Sequence, residues 1–290
     1  MTNSPLAQAA QAAVSIKTGD LPALNKPNKT TVITVANQKG GVGKTTTTVN
    51  IAAALAKHQL EVLVIDSDPQ GNASTALGID HRVGTPSVYD ILVNDDEFEN
   101  VIQKVPDYTN LYCAPATIDL AGAEIELVSV VAREYRMQRA LKKYLEYHLE
   151  KYQKRIDYIF IDCPPSLGLL TLNALVAADE ILIPIQTEYY ALEGLGQLMN
   201  NINLVKKQLN PDLKISTIVL TMFDSRTNLS NQVSEEVKKH FGDLVLDTPI
   251  PRSVRVSEAP SFQQTVIGYD PGSPGAQAYL QVAKEFAQKH

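Results

Sequence analysis

The run Asn37-Gln38-Lys39-Gly40-Gly41-Val42-Gly43-Lys44-Thr45-Thr46 gathers glycines, lysines and hydroxyls at the end of an apolar stretch. Glycines at 40, 41 and 43 let the backbone turn its N–H groups inward around an anion. A helix starting at Lys44 would aim the positive end of its dipole at the same charge. Lys44 is then placed to contact the β- and γ-phosphates of a nucleotide, with the Thr45 hydroxyl on magnesium. The usual GxxxxGK[ST] spacing would put its first glycine at position 38, where this chain has Gln38, and a second lysine stands at position 39. A lysine at the loop tip can point away from its own nucleotide and neutralise the phosphates of a second copy, as an arginine finger does in trans. That arrangement predicts a dimer with nucleotide sandwiched between its halves.

Acidic partners for such a loop follow at two places. Asp66-Ser67-Asp68-Pro69-Gln70-Gly71-Asn72 puts two carboxylates where a strand ends, the end at which a parallel sheet opens its ligand crevice. Tyr158-Ile159-Phe160-Ile161-Asp162-Cys163-Pro164-Pro165 is an apolar strand ending in Asp162, the form expected of a magnesium-supporting acid. Gly168 and the two prolines suit a loop that senses the γ-phosphate. Guanine recognition uses an Asn-Lys-x-Asp element after a later strand; the Asn25-Lys26-Pro27-Asn28 run lies before the loop, so adenine is favoured.

These residues need a scaffold that brings strand ends together. From Thr31 short β-branched runs alternate with helical patterns: Thr31–Asn37 then Lys44–Lys57, Val62–Asp66, Tyr158–Asp162 then Leu169–Ala177, and Ile181–Pro184 then Ala191–Leu209. Ile215–Thr221, Leu229–Phe241 and a helix near Ala276–Gln288 complete the series. Strands apolar throughout and separated by helices indicate an α/β, doubly wound domain whose mostly parallel sheet is covered by helices on both faces. Between Val83 and Gln153 the pattern loosens to a helical turn at Ser87–Val93, a strand at Leu111–Ala114 and a charged helix around Glu134–Lys151. The expected division is a P-loop domain over 30–290 behind a flexible extension over 1–29. Leu6–Ile16 within the extension could form a short helix, marginal without a partner to pack on.

Composition narrows the class. A chain of 290 residues with 44% hydrophobic content can bury one large core. No stretch approaches the roughly 20 apolar residues of a membrane span, and no signal-peptide pattern opens the chain, so a cytoplasmic protein is expected. The two cysteines, Cys113 and Cys163, lack CxxC spacing and read as buried small hydrophobes. A net charge of −6 argues against a surface coated for nucleic acid while leaving room for a local basic patch.

Lys39–Thr46, Asp66–Asn72 and Ile161–Ser166 together resemble the deviant-Walker P-loop ATPases, particularly the ParA/Soj DNA-partitioning family, over about Thr31 to the C-terminus. Glu188–Gly194, Leu220–Asn228 and Ile250–Pro260 add to the likeness. The resemblance implies that Lys39 acts across an ATP dimer and that Lys39, Gly40, Gly41, Val42, Gly43, Lys44, Thr45 and Thr46 bind ATP. It also implies that Asp68 positions the hydrolytic water, that Thr45, Asp66 and Asp162 serve Mg2+, and that Met222, Pro251 and Arg252 flank the adenine. Arg226 and Arg255 match positions that contact DNA phosphates; Lys206, Lys207, Lys238 and Lys239 could add to that patch or be plain solvated charge. The implied cycle is ATP-driven dimerisation, binding to double-stranded DNA without sequence preference on the nucleoid, and release when a ParB-type partner stimulates an otherwise weak hydrolysis. The extension before Thr31 has no assigned role in the family; binding to a polar or membrane scaffold is one expectation for it.

Other members of the superfamily make different demands. A MinD-like membrane-directed regulator grips lipid with a basic amphipathic C-terminal helix. Ala276–His290 carries few basic residues and reads as a core-packing helix through Tyr279, Leu280, Val282, Ala283 and Phe286. A redox ATPase like the nitrogenase iron protein would need Cys113 or Cys163 in a cluster-ligand setting, which neither has. A bacterial tyrosine kinase would end in a tyrosine cluster, and this chain ends Ala287-Gln288-Lys289-His290.

Overall fold

A computed structural model describes Val14, Ile16 and residues 21–189 and 193–290. Apart from Val14 and Ile16, the Leu6–Ile16 helix lies outside the described residues, as do Tyr190, Ala191 and Leu192 of the Glu188–Gly194 string. The strands are β1 (Thr31–Val35), β2 (Val62–Asp66), β3 (Gln103–Lys104), β4 (Leu111–Ala114), β5 (Tyr158–Asp162), β6 (Glu180–Gln186) and β7 (Lys214–Thr221). They form one sheet in the order β3-β4-β2-β5-β1-β6-β7, parallel except for the edge pair β3–β4. Parallel pairing puts the C-terminal ends of β1, β2, β5, β6 and β7 along one edge. The register sets Asp162 opposite both Val35 and Asp66.

Side chains alternate across the sheet, and both faces are buried. Val32, Leu63, Ile65, Ile159, Ile161, Ile183 and Leu220 belong to one core cluster; Ile33, Val35, Val64, Phe160, Leu182 and Val219 belong to the other. Each such side chain contributes about 1.5–3 kcal/mol on burial, so apolar packing on both faces holds the sheet between its helix layers. The helices used below are α1 (Lys44–Lys57), α2 (Asn72–Ala76), α3 (Leu120–Glu126), α4 (Arg136–Tyr152), α5 (Leu169–Ala177), α6 (Glu193–Gln208), α7 (Asn228–Phe241) and α8 (Pro274–Gln288). The four threonines Thr45–Thr48 have poor helix propensity, yet α1 begins there. Three aspects offset that penalty: Thr47 and Thr48 are buried, Thr47 N donates to Gly43 O at 2.8 Å, and Thr48 Oγ1 reaches Lys44 O at 3.0 Å.

Helix α8 buries Ala276, Tyr279, Leu280, Val282, Ala283 and Phe286 and packs against α1. Its apolar side is therefore occupied by the core, and no helix of the described residues is long and apolar enough to cross a membrane. Cys113 and Cys163 are both fully buried, in clusters on opposite faces of the sheet. The two thiols therefore do not share a site.

Residues 21–29 run along the edge of the sheet opposite the phosphate loop. Ile16 is buried, Leu21 and Leu24 pack on the α1/α8 cluster, Lys26 pairs with the buried Asp157 at 3.3 Å, and Lys29 with Asp179 at 2.7 Å. His58 at the end of α1 meets Pro22 O through Nδ1 at 2.6 Å. A carbonyl only accepts, so Nδ1 carries the proton, and among the described residues Nε2 is buried without a partner. Burial pushes the His58 pKa down, a change the Pro22 contact opposes and nearby Lys284 reinforces. A base depressed in the folded state contributes stability that is present above its ordinary value of about 6.5 and lost as pH falls below it. Urea unfolding at pH 7 and pH 5 should therefore show a smaller acid loss in His58→Gln than in the wild type. Equal losses would remove His58 from the account.

Candidate functional site: a phosphate loop over a buried acid pair

The loop after β1 is held from two sides, by β6 and β7, and by a hydrogen bond within it. Asn37 Nδ2 donates to Pro184 O on β6 at 2.8 Å, and its Oδ1 accepts Lys39 N at 3.0 Å. Thr221, at the end of β7, donates through Oγ1 to Val42 O at 2.8 Å, while Val42 is itself buried. Gly41 and Gly43 sit at φ +74° and +86°, where a side chain is strained. A β-carbon on Gly40 or Gly41 would meet nothing within 4 Å. Glycine is thus not demanded there by contact with the rest of the protein, and the loop faces open space with room for a ligand.

That space is a cleft of about 670 Å³ lined by Gly40, Gly41, Gly43, Lys44, Thr45 and Thr46 on one side. Asp68, Glu124, Ser166 and Met222 line it elsewhere. Lys44 is 7% exposed, and its Nζ rests 3.4 Å from Lys39 O inside its own loop. Burial lowers its pKa, a change that Asp162 partly opposes. A desolvated ammonium whose hydrogen-bond partner among the described residues is a backbone carbonyl is prepared for an anion.

Beneath the loop, Thr45 Oγ1 donates to Asp162 Oδ2 at 2.6 Å and Thr48 Oγ1 to Asp162 Oδ1 at 3.2 Å. Asp66 lies on the neighbouring strand, where Ser74 N at 2.8 Å, Ser74 Oγ at 2.7 Å and Asp68 N at 3.2 Å all donate to it. Both carboxyls are fully buried. Burial pushes both pKa values up, and at Asp162 the like charge of Asp66 adds to that rise. A divalent cation at the loop would relieve that repulsion, and hydroxyl plus carboxylate oxygens are the hard donors magnesium takes. Neither carboxyl lines the cleft: Asp162 meets it through Thr45, and Asp66, through Asp68 N and the start of α2, holds the loop on which Asp68 stands. Asp68 lines the cleft, its Oδ1 accepting Gln70 N at 3.0 Å.

The other residues singled out by sequence lie around this centre. Met222 lines the cleft at φ +53°, and Pro251 and Arg252 are tied to β7's exit, where Phe223 N donates to Ile250 O at 2.9 Å and Arg252 N to Phe223 O at 3.0 Å. Lys39 does not line the cleft: its Nζ stands 3.4 Å from Glu188 Oε2. Arg226 and Arg255 are away from the cleft and exposed. Arg226 forks onto Asp224 at 2.9 and 2.8 Å, holding that carboxyl down at about 2, and Arg255 pairs with Glu258 at 3.0 Å and Asp270 at 3.4 Å.

Sequence reasoning passed over several residues of the site. Thr48 could have been found, one helical turn beyond Thr45 on the same side of α1. Thr221 had only its place at a strand end to mark it. Glu124 gave no signal, because α3 falls in the loosely patterned stretch and reaches the cleft only through the packing of the chain.

Comparison with known proteins adds sequence-wide likeness to this geometry. A family described as an AAA domain matches residues 30–215. The Bacillus subtilis sporulation initiation inhibitor protein Soj is 56% identical over 256 residues, covering 88% of this chain and 98% of that protein. The Myxococcus xanthus chromosome partitioning protein ParA is 50% identical over 258 residues, covering 89% of this chain and 88% of that protein. Among solved structures, a Mycobacterium smegmatis cobyrinic acid a,c-diamide synthase with bound ATP analogue and magnesium is 40% identical. It superposes with a TM-score of 0.73, covering 88% of this chain and 93% of that one. With the deviant phosphate loop seated over Asp162 on a doubly wound sheet and this extent of identity, the chain belongs to the ParA/Soj family of P-loop ATPases.

Proposed function

We propose that the chain is a cytoplasmic partitioning ATPase whose ATP form self-associates, binds double-stranded DNA without sequence preference and is released by a ParB-type partner that stimulates hydrolysis. The observation that carries the nucleotide half is the stack of Lys44, Thr45 and Asp162 beneath a glycine loop facing an open cleft. The ATP analogue and magnesium in the similar Mycobacterium structure support the same ligands here. The partitioning half rests on likeness to the Soj and ParA proteins. Lys44 and the loop N–H groups bind the phosphates, Thr45 and Asp162 hold the Mg2+, and Asp66 keeps the adjoining loop in place. Bound there, magnesium neutralises charge that develops on the phosphates. Asp68 orients the attacking water and takes up its proton. Lys39 of one copy neutralises the phosphates held by the other; Met222, Pro251 and Arg252 flank the base.

The DNA face requires Arg226 and Arg255 to exchange their carboxylate partners for phosphates. These pairs are solvent-exposed, so the exchange is cheap, and self-association doubles each charge on one surface. Binding to random-sequence duplex at low salt should appear with ATP and not with ADP. In Arg226→Glu and Arg255→Glu it should weaken at least about tenfold, through lost phosphate contacts and added repulsion. Binding that ignores nucleotide, or survives both substitutions, would reject this surface.

A further inference from the structure

Glu188 lies just past β6, where its N–H donates to Gln186 O at 2.8 Å and Gln186 Nε2 donates to its Oε1. This turn fixes the carboxylate between two cations on separate elements: Lys39 Nζ at 3.4 Å from Oε2, and Arg252 at 3.6 Å from Oε1. Lys39 belongs to the tip of the phosphate loop, Arg252 to the segment after β7. One carboxylate thus joins the phosphate side of the site to the side assigned to the base.

We infer that Glu188 is a positioning residue that keeps Lys39 in its own subunit until a second copy with ATP takes the lysine over. The inference rests on the proposed role of Lys39 across the dimer. A Lys39 that swings out to a second copy's phosphates gives up Glu188, so the Glu188 pair opposes association by the amount it stabilises the lysine. Both partners are partly exposed, 39% and 45%, which keeps that amount small and the exchange reversible. A phosphate array carries more negative charge than one carboxylate, so ATP in the second copy outcompetes Glu188. Arg252, on the second oxygen, keeps the carboxylate occupied when the lysine leaves.

The test compares wild type, Glu188→Gln, Lys39→Gln and the double variant by sedimentation across protein concentrations, in saturating ATP or ADP with magnesium. Glutamine preserves the shape of Glu188 and removes its charge. Glu188→Gln should associate at about two- to fivefold lower concentration in ATP, the factor a weak exposed pair is worth, with no change in ADP. The double variant should behave like Lys39→Gln. Wild-type association by Glu188→Gln, or a gain from Glu188→Gln that persists without Lys39, overturns the inference alone. Wild-type association by Lys39→Gln overturns the trans role of the lysine and the inference with it.

Discussion

Lys44→Ala should lose ATP binding by at least about a hundredfold, since one charge-assisted contact to phosphate is worth about 1.5–3 kcal/mol and the ammonium serves two phosphates. The buried position of Lys44 strengthens the expectation. The folded protein has already taken this ammonium out of water, and burial holds its pKa down. An arriving phosphate thus meets a charge with few competing partners. Alanine also removes an unfavourable burial, so the apo protein should keep its melting temperature while its affinity collapses. Titration calorimetry with ATP and magnesium reads the affinity and a thermal melt reads the fold. Affinity within threefold of wild type would refute the placement of the phosphates.

Asp68→Ala should separate binding from chemistry. Asp68 lines the cleft on a turn fixed by Asp66 and Ser74, and among the described residues no hydrogen bond joins it to the phosphate loop. Its loss leaves Lys44, Thr45 and Asp162 in place, so ATP still binds. General-base and water-positioning groups contribute about 10²–10⁴ in rate, and hydrolysis should fall by a factor in that range. The variant should then accumulate in the associated, ATP-bound form. Single-turnover hydrolysis measures the step, and turnover within about tenfold of wild type would remove Asp68 from that role.

Most of the scaffold was legible in the chain because local pattern and tertiary environment agree. Val62–Asp66, Tyr158–Asp162, Lys44–Lys57 and Leu169–Ala177 form over the residues their patterns predicted, since strands buried on both faces must be apolar throughout. Other elements needed the folded chain. The antiparallel strand β3 is two residues long, too short to show a period. Helix α4 starts at Arg136 and not near Glu134, where a short turn at Arg133–Tyr135 intervenes. The turn at Ser87–Val93 becomes a π-helix over Asp90–Asn94. Of the segment expected to trail free before Thr31, residues 21–29 have partners at His58, Arg155, Asp157 and Asp179, distant residues that composition does not reveal.

The sequence by itself determined the phosphate loop, the acids at the strand ends and the layered sheet, because those features are written in contiguous residues with short-range geometry. Tertiary structure alone decided how the pieces meet. It set Asp66 beside Asp162 by strand register, where burial raises both pKa values and the charge of Asp66 raises that of Asp162 further above its ordinary value. It also brought Glu188 between Lys39 and Arg252, a contact among three segments whose separation in the chain leaves no period or motif to read. Charge coupling depends on distance in space, and only the folded sheet supplies that distance.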